Sequence, residues 1–390
     1  MEYVVSQQHV CLCDICTCAY CNSPDHALPH CPKKVRQEDQ GKKTRRRRSK
    51  DKRTEAGVSY NSISPHSAPP KNQEQPRVQK SLGGGGKNVG MGVDEKALIS
   101  TLGNSHKDHR KLFRKASKSF FVEDEERAFE KCHDQFVKHL KLEFSRFNNA
   151  VVMWSMHPWE RDARVVKKAL KKGDECYSLI VEVACTRSSE DLLGARKAYH
   201  SLFDQSMEED IASNIHGSRR KLLVGLVSAY RYEGNKVKDD SAKSDAKILA
   251  EAVASPGEKA IENDEVVRIL STRSKLHLQQ LYKHFNQIKG SDLLVGVSDS
   301  SLLNDALLCL LKPSVYFSKI LNASLNKDAD KGTKKWLTRV FVTRADHSDE
   351  MKDIAEEYNQ RYGETLAQNI QEKIRGNYRD FLLTLLSKSN

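Results

Sequence analysis

The chain has 390 residues, 38% of them hydrophobic, with 65 basic against 52 acidic residues and a formal net charge of +13. A large core is affordable at that length, but no apolar run reaches about 18 residues, which excludes a helical membrane span. The first thirty or so positions hold cysteines and histidines where a secretory signal needs an apolar stretch. Residues 1–90 carry 16 basic against 8 acidic residues, so they hold +8 of the +13 and the remainder is close to neutral. The basic balance therefore describes the leading segment and is no nucleic-acid footprint of the whole protein. The chain reads as intracellular, soluble and cytoplasmic.

Residues 1–86 are expected to form a disordered, cysteine-rich and basic extension. Cys11, Cys13, Cys16, Cys18, Cys21, His26, His30 and Cys31 place eight soft-metal ligands close together. Thiolate and imidazole suit zinc. The C-x-C-x2-C-x-C spacing is not that of a standard zinc module, so a zinc site and a cysteine-rich tail without fixed metal both stand as readings. A basic block follows, with Arg45, Arg46, Arg47 and Arg48 inside residues 42–53 among Ser, Asn, Gln, Pro and Gly. Such a stretch has too little apolar area to offset chain entropy. Nuclear import, a polybasic tether for an anionic membrane and a plain solvated charge run are its three readings.

From about residue 88 the chain repeats itself. Thr186-Arg187-Ser188, Thr272-Arg273-Ser274 and Thr343-Arg344-Ala345 each follow an apolar run. An aromatic comes next (Tyr199, Phe285, Tyr358), and a leucine pair closes each unit at Leu222-Leu223, Leu307-Leu308 and Leu382-Leu383. A divergent copy, Leu102-Gly103-Asn104-Ser105, precedes these three. Self-similarity at such a period marks one supersecondary unit packed against its own copies. Apolar residues recur at helical spacing within each unit, as at Leu98, Ile99 and Leu102 or Ala195, Ala198, Tyr199 and Leu202. Strand signals are sparse. Pro158 marks a helix start, Gly173, Gly217 and Gly376 lie between helices, and Pro313 begins the last helix of its unit. The expected fold is all-α, with about five helices per repeat. The repeats span 87–163, 164–234, 244–316 and 317–390, with a linker at 235–243.

These residues resemble the annexin family. Gly90-Met91-Gly92-Val93-Asp94-Glu95 is similar to the annexin opening G-x-G-T-D-E, Thr-Arg-Ser recurs at its family place, and Pro158-Trp159-Glu160-Arg161-Asp162-Ala163 resembles the end of a plant annexin's first repeat. The resemblance covers about 88–388 and leaves the leading segment without a counterpart. It implies a right-handed superhelix of four repeats whose convex face binds anionic phospholipid through calcium.

Calcium takes six to eight oxygens, so backbone carbonyls, one bidentate carboxylate, water and a lipid phosphoryl can share it. Glycine lets the loop after a repeat's first helix turn its carbonyls outward. By the resemblance, Asn88, Gly90 and Gly92 supply carbonyls in repeat one and Glu143 supplies the carboxylate. Val93 replaces the usual Thr there, and the acidic run Glu123-Asp124-Glu125-Glu126, read as a solvated helix start, lengthens the unit. In repeat two, Lys171-Lys172-Gly173-Asp174-Glu175 is one glycine short of the pattern and Asn214 stands at the carboxylate position, so this site is expected to be lost. Repeat three has no glycine at Ala260–Asp264 and Ser298 at the acid, so it is expected to be structural. Repeat four has a longer loop, where Asp328, Asp330 and neighbouring Glu372 are a weaker calcium candidate, while Lys373 aligns with the acid.

The remaining landmarks are expected to be architectural. The recurring arginine should bond helix-end carbonyls inside its own repeat, and Trp154, Trp159 and Trp336 should pack in cores. Cys132, Cys176, Cys185 and Cys309 should be reduced and mostly buried. Two functions compete: calcium-dependent peripheral membrane binding, and a helical interaction scaffold for actin or another annexin with largely degenerate calcium sites. No phosphate loop after a strand and no nucleophile with its base is legible, so an enzyme is not expected.

Overall fold

The computed structural model describes residues 95–388 apart from 135–136, 138–145, 255–256 and 298–301. The leading Cys/His cluster and the basic run lie outside the described residues. The rest is helical, as the periodicity requires, with one small exception.

α1 (Glu95–Leu98) runs on as a π turn over Ile99–Gly103, followed by α2 (Lys107–Ala116) and α3 (Arg146–Ser155). Next come α4 (Pro158–Lys172), α5 (Ser178–Thr186), α6 (Ser189–Phe203), α7 (Met207–Asn214) and α8 (Gly217–Val227). The same order recurs in α9 (Asp239–Val253), α10 (Asp264–Thr272), α11 (Lys275–Lys289), α12 (Leu293–Gly296) and α13 (Leu302–Leu311). It returns in α14 (Pro313–Leu325), α15 (Lys334–Arg344), α16 (Ser348–Tyr362), α17 (Leu366–Lys373) and α18 (Gly376–Ser387). In each five-helix set the first helix packs along the third: α4 on α6, α9 on α11, α14 on α16. Pro313 therefore opens the first helix of the set that follows it, not the last of the set before. A proline suits that place, since the missing N–H is one a helix start leaves unbonded anyway.

The exception is a two-stranded antiparallel hairpin, β1 (Phe121–Asp124) and β2 (Phe129–Cys132), with Phe121 opposite Cys132 and Asp124 opposite Phe129. The acidic run is its turn and first strand rather than a helix start. Its alternation of Phe121 and Phe129, both buried, against charged residues is a strand pattern too short to weigh against the helical period around it. The hairpin is clipped to the helices that follow. Asp124 accepts from the Ser201 hydroxyl at the end of α6, Arg127 Nη2 lies 3.0 Å from His200 Nδ1, and the Cys132 amide donates to Glu160 at 2.7 Å.

The Thr-Arg-Ser landmark is a joint between three helices. Its serine caps the third helix: the Ser188 hydroxyl accepts from the Asp191 amide, and Ser274 from that of His277. Its arginine does not bond helix-end carbonyls, as expected from the sequence, but a carboxylate on the first helix. Arg187 holds Asp162 through two bonds of 2.6 and 2.8 Å, and Arg273 holds Asp245 at 2.7 Å. At the buried Arg187 the carboxylate wins because a guanidinium this deep needs charge as well as a lone pair, and at the half-buried Arg273 the buried Asp245 needs the cation. The aromatics and leucine pairs sit where the repeat requires, with Tyr199, Tyr358, Leu222, Leu223 and Leu382 fully buried and Phe285 nearly so.

Buried charges also join the second and fourth sets. Arg339 of α15 pairs with Glu182 of α5 at 2.8 Å, and Arg161 donates to the Val342 carbonyl at 2.6 Å. Arg110 of α2 pairs with Asp346 beyond α15. Trp154 is fully buried, donates to the Leu102 carbonyl at 2.9 Å and lies under the Arg110 guanidinium. Trp159 is half-buried against Gly194, where a Cβ would lie 2.0 Å from the indole. Cys132, Cys185 and Cys309 are buried and Cys176 half-buried, all four as free thiols.

Burial alone would raise the Asp162 carboxyl, but the Arg187 charge and hydrogen bonds, then Arg161, hold it below the usual range. A depressed carboxylate contributes stability that is present above its unfolded value and lost as pH falls through the folded one. Asp162→Asn, which leaves Arg187 buried and unpaired, is expected to lower the unfolding free energy at neutral pH by about 3 kcal/mol. Urea unfolding of the two proteins at pH 7 and in acid checks this, the gap narrowing in acid.

Candidate calcium and membrane-facing loops

Calcium in this arrangement needs free carbonyl oxygens in the connection after each repeat's first helix and a carboxylate from the connection before its last helix. Asn88, Gly90, Gly92 and Glu143 of repeat one lie outside the described residues, as does Ser298 of repeat three. Repeats two and four can be read in full.

In repeat two, α4 ends at Gly173, whose φ of +82° is open to glycine and costly for other residues. Its carbonyl is not turned outward. It accepts from the Cys176 amide at 2.9 Å. Asp174 receives Nη1 of Arg219, near the start of α8, at 2.9 Å. Thus a protein cation bridges the two connections that a metal would bridge. Asn214, at the acid's position, turns back and donates to the Asp210 carbonyl and carboxylate at 2.8 and 2.9 Å. These residues do not fit a calcium ion, in keeping with the missing glycine and acid.

Repeat three closes in another way. Asn263 caps α10 through the Glu265 amide at 2.9 Å, while Ala260 and Ile261 are buried. The loop there is packing.

In repeat four, Asp328, Asp330 and Glu372 are all exposed. Asp330 forms an Asx turn: it accepts from the Thr333 amide at 3.0 Å, the Thr333 hydroxyl at 2.7 Å and the Gly332 amide. Those bonds, led by the Thr333 hydroxyl, hold its carboxyl below the usual range. The Asp328 amide donates to Asn326 Oδ1 at 3.1 Å, and Lys334 Nζ takes the Lys327 carbonyl at 2.8 Å. Among the described residues no three His, Cys, Asp or Glu side chains gather to hold a metal ion, so the structure does not bring Asp328, Asp330 and Glu372 together.

Sequence reasoning missed the lysines between these two loops. The Lys168 ammonium is held below the usual lysine range, first by lost solvent and then by Lys335 and Lys172 beside it. Lys172 also bears on Asp330 across the gap. Lysines at the end of one first helix and the start of another's second helix were visible; that the fold opposes them was not. Trp336, next to Lys335, is half-buried and lies 5.9 Å from the Arg339 guanidinium.

The annexin family model matches residues 161–226 and 317–385. Annexin D4 of Arabidopsis thaliana is 86% identical over 302 residues, 77% of this chain and 95% of that protein. The chain belongs to the annexin family. Among solved structures, annexin III superposes with a TM-score of 0.64 at 26% identity, covering 79% of this chain and 91% of that one. Calcium-bound annexin (Sm)1 does so with a TM-score of 0.62 at 20% identity, covering 80% and 88%. The fold is thus the annexin fold of four repeats. No helix among the described residues is long and apolar enough to cross a membrane.

Returning the acid and removing the tethered cation should restore the missing annexin chemistry of repeat two. The variant Asn214→Glu/Arg219→Gln is expected to gain about 1 kcal/mol of stabilisation from millimolar calcium relative to the parent. Thermal unfolding with calcium and with chelator checks this, and equal shifts in the two proteins would refute it.

Proposed function

We propose that this annexin binds anionic phospholipid surfaces in a calcium-dependent way and that repeat one is its calcium site. Calcium-dependent phospholipid binding is a general property of annexins, and the relationship to annexin D4 runs through the repeat region. Asn88, Gly90 and Gly92 would supply carbonyls and Glu143 a carboxylate, leaving positions for water and a lipid phosphoryl oxygen. The ion would bridge protein and phosphate, so calcium and lipid affinities would be linked. The four-repeat division at 87–163, 164–234, 244–316 and 317–390 belongs to this proposal, with its internal boundaries moved to the helix starts at Pro158, Asp239 and Pro313 so that no helix is cut.

One observation of the structure supports the membrane part of this reading: Lys168, Lys172 and Lys335 are exposed, and the charges of Lys335 and Lys172 both bear on the Lys168 ammonium. Their mutual repulsion is relieved by negative charge, and each lysine near an anionic surface adds about 1 kcal/mol of attraction. Peripheral association from the cytoplasm, with no enzymatic activity, is the corresponding mode of action.

A scaffold role, with actin or another annexin as partner, is favoured by a different observation. Arg219 and Lys334 occupy the oxygens that calcium would need in repeats two and four.

Cosedimentation of the full chain with phosphatidylserine vesicles separates the two. The membrane reading expects calcium-dependent capture that Glu143→Gln weakens about ten-fold in calcium requirement. Capture that ignores both calcium and Glu143 would favour the scaffold.

A further inference from the structure

Two of the three landmark arginines have a buried acid on the first helix of their own set, Asp162 for Arg187 and Asp245 for Arg273. The third does not. When α4, α9 and α14 are aligned through the buried pairs Ala163/Val166, Ala246/Leu249 and Ser318/Leu321, the aspartate position falls on Phe317. Arg344 lies over the Phe317 ring, 5.3 Å from its centroid, and is 2% exposed. Its ion pair is with Glu350 at 2.7 Å, a side chain 47% exposed, and its Nε is buried without a hydrogen-bond partner. Burial, followed by the nearby Arg187 charge, pulls its pKa down to about 10. Glu350, Glu182 and Asp162 act against that shift, but none of them hydrogen-bonds the Nε, so this guanidinium keeps a buried donor without an acceptor.

Arg344 lines a cleft of about 380 Å³ together with Arg231 and Lys275. Arg231 donates to the carbonyls of Arg273, at 2.7 Å, and Leu270. The Lys275 ammonium is depressed, most by burial; Glu350 offsets part of this, while Arg231 and Arg344 add to it. Ser188 and Asp191 at the start of α6, Ser274 and Lys275 at the start of α11, and His347 and Glu350 at the start of α16 also border the cleft, so three 15-residue helices begin at its wall. Asp191, Glu233 and Glu350 are the acids on its wall. Glu233 sits on the linker after α8 and accepts from the Ser189 amide, at the start of α6, at 2.7 Å. A carboxylate of the chain thus already occupies an oxyanion position there. The linker is pinned beside it, through Tyr232 N to the Thr272 carbonyl at 2.9 Å.

We propose that this cleft binds a phosphate monoester, with Arg344 and Lys275 as receiving cations and Glu233 holding the place of one phosphate oxygen until the ligand displaces it. A phosphate would give Arg344 the counter-charge its two copies draw from an aspartate, and would accept from helix-start amides as phosphates do elsewhere. This site is separate from the calcium loops, and its test does not depend on them.

The test uses the full chain in chelator, at constant ionic strength with chloride as control. Calorimetric titration with inorganic phosphate and with glycerol 3-phosphate is expected to show saturable binding. Glu233→Gln should tighten it about three-fold and Lys275→Gln weaken it about three-fold, the size of one partly exposed charge at a helix start. Neither residue belongs to the buried core, so both variants should fold. Capture of phosphatidic acid vesicles that glycerol 3-phosphate reverses would assign the site to a lipid headgroup. Soluble binding without capture would assign it to a soluble monoester. Absence of saturable binding, or identical affinities in parent and both variants, overturns the proposal.

Discussion

An arginine buried among helices costs several kcal/mol unless a charge of opposite sign and matched hydrogen bonds meet it. The pairing of Arg187 with Asp162, repeated by Arg273 with Asp245, is the interaction around which the second and third sets are arranged. The acid stands on the first helix, the arginine ends the second and the following serine caps the third. One short motif therefore fixes three helices relative to one another. Hydrophobic burial supplies most of the driving force, but apolar contact tolerates sliding. A two-bond guanidinium–carboxylate pair does not, because a small displacement breaks both bonds and strands two charges.

The same physics gives the second and fourth sets a polar seam where an apolar one would be simpler. Glu182 meets Arg339 in full burial, and Arg161 reaches across to the Val342 carbonyl. Asp305 lies close enough to feel Glu182; burial, and then that second acid, push its carboxyl up to about 7. Charges of both signs in one interior discriminate against other registers of the helices. A wrong pairing would bury like charges together.

Much of this was legible in the chain. The recurring Thr-Arg-Ser, aromatic and leucine pair gave the number of repeats and the helical class, and the absent second glycine of repeat two goes with a Gly173 carbonyl that bonds the Cys176 amide. What stayed hidden depends on residues far apart in sequence. Nothing near Arg187 announces Asp162, which is 25 positions away, and a carbonyl partner looked equally good until the depth of burial was known. The hairpin at 121–132 was masked because four-residue strands carry too few alternations to outweigh a neighbouring helical period. The opposition of Lys168 and Lys172 to Lys335 arises only from the packing of two repeats. Phe317 is apolar at an apolar-looking position, so its significance as an absent acid appears only when the copies are superposed.

The loops show how repetition lets chemistry decay without damage to the fold. The core, the arginine joint and the caps lie away from the calcium-type connections, so those connections can change while the helices keep their partners. In repeats two and four the cations seated on these connections belong to the chain itself. Arg219 on Asp174 and Lys334 on the Lys327 carbonyl are held at the effective concentration of a short tether, which is on the order of millimolar or higher. A free calcium ion at ordinary cellular levels must displace a cation that never diffuses away, and in repeat two do so with Asn214 where a carboxylate would be needed. The absent acid and the tethered cation act in the same direction, so building a site in repeat two requires changing both.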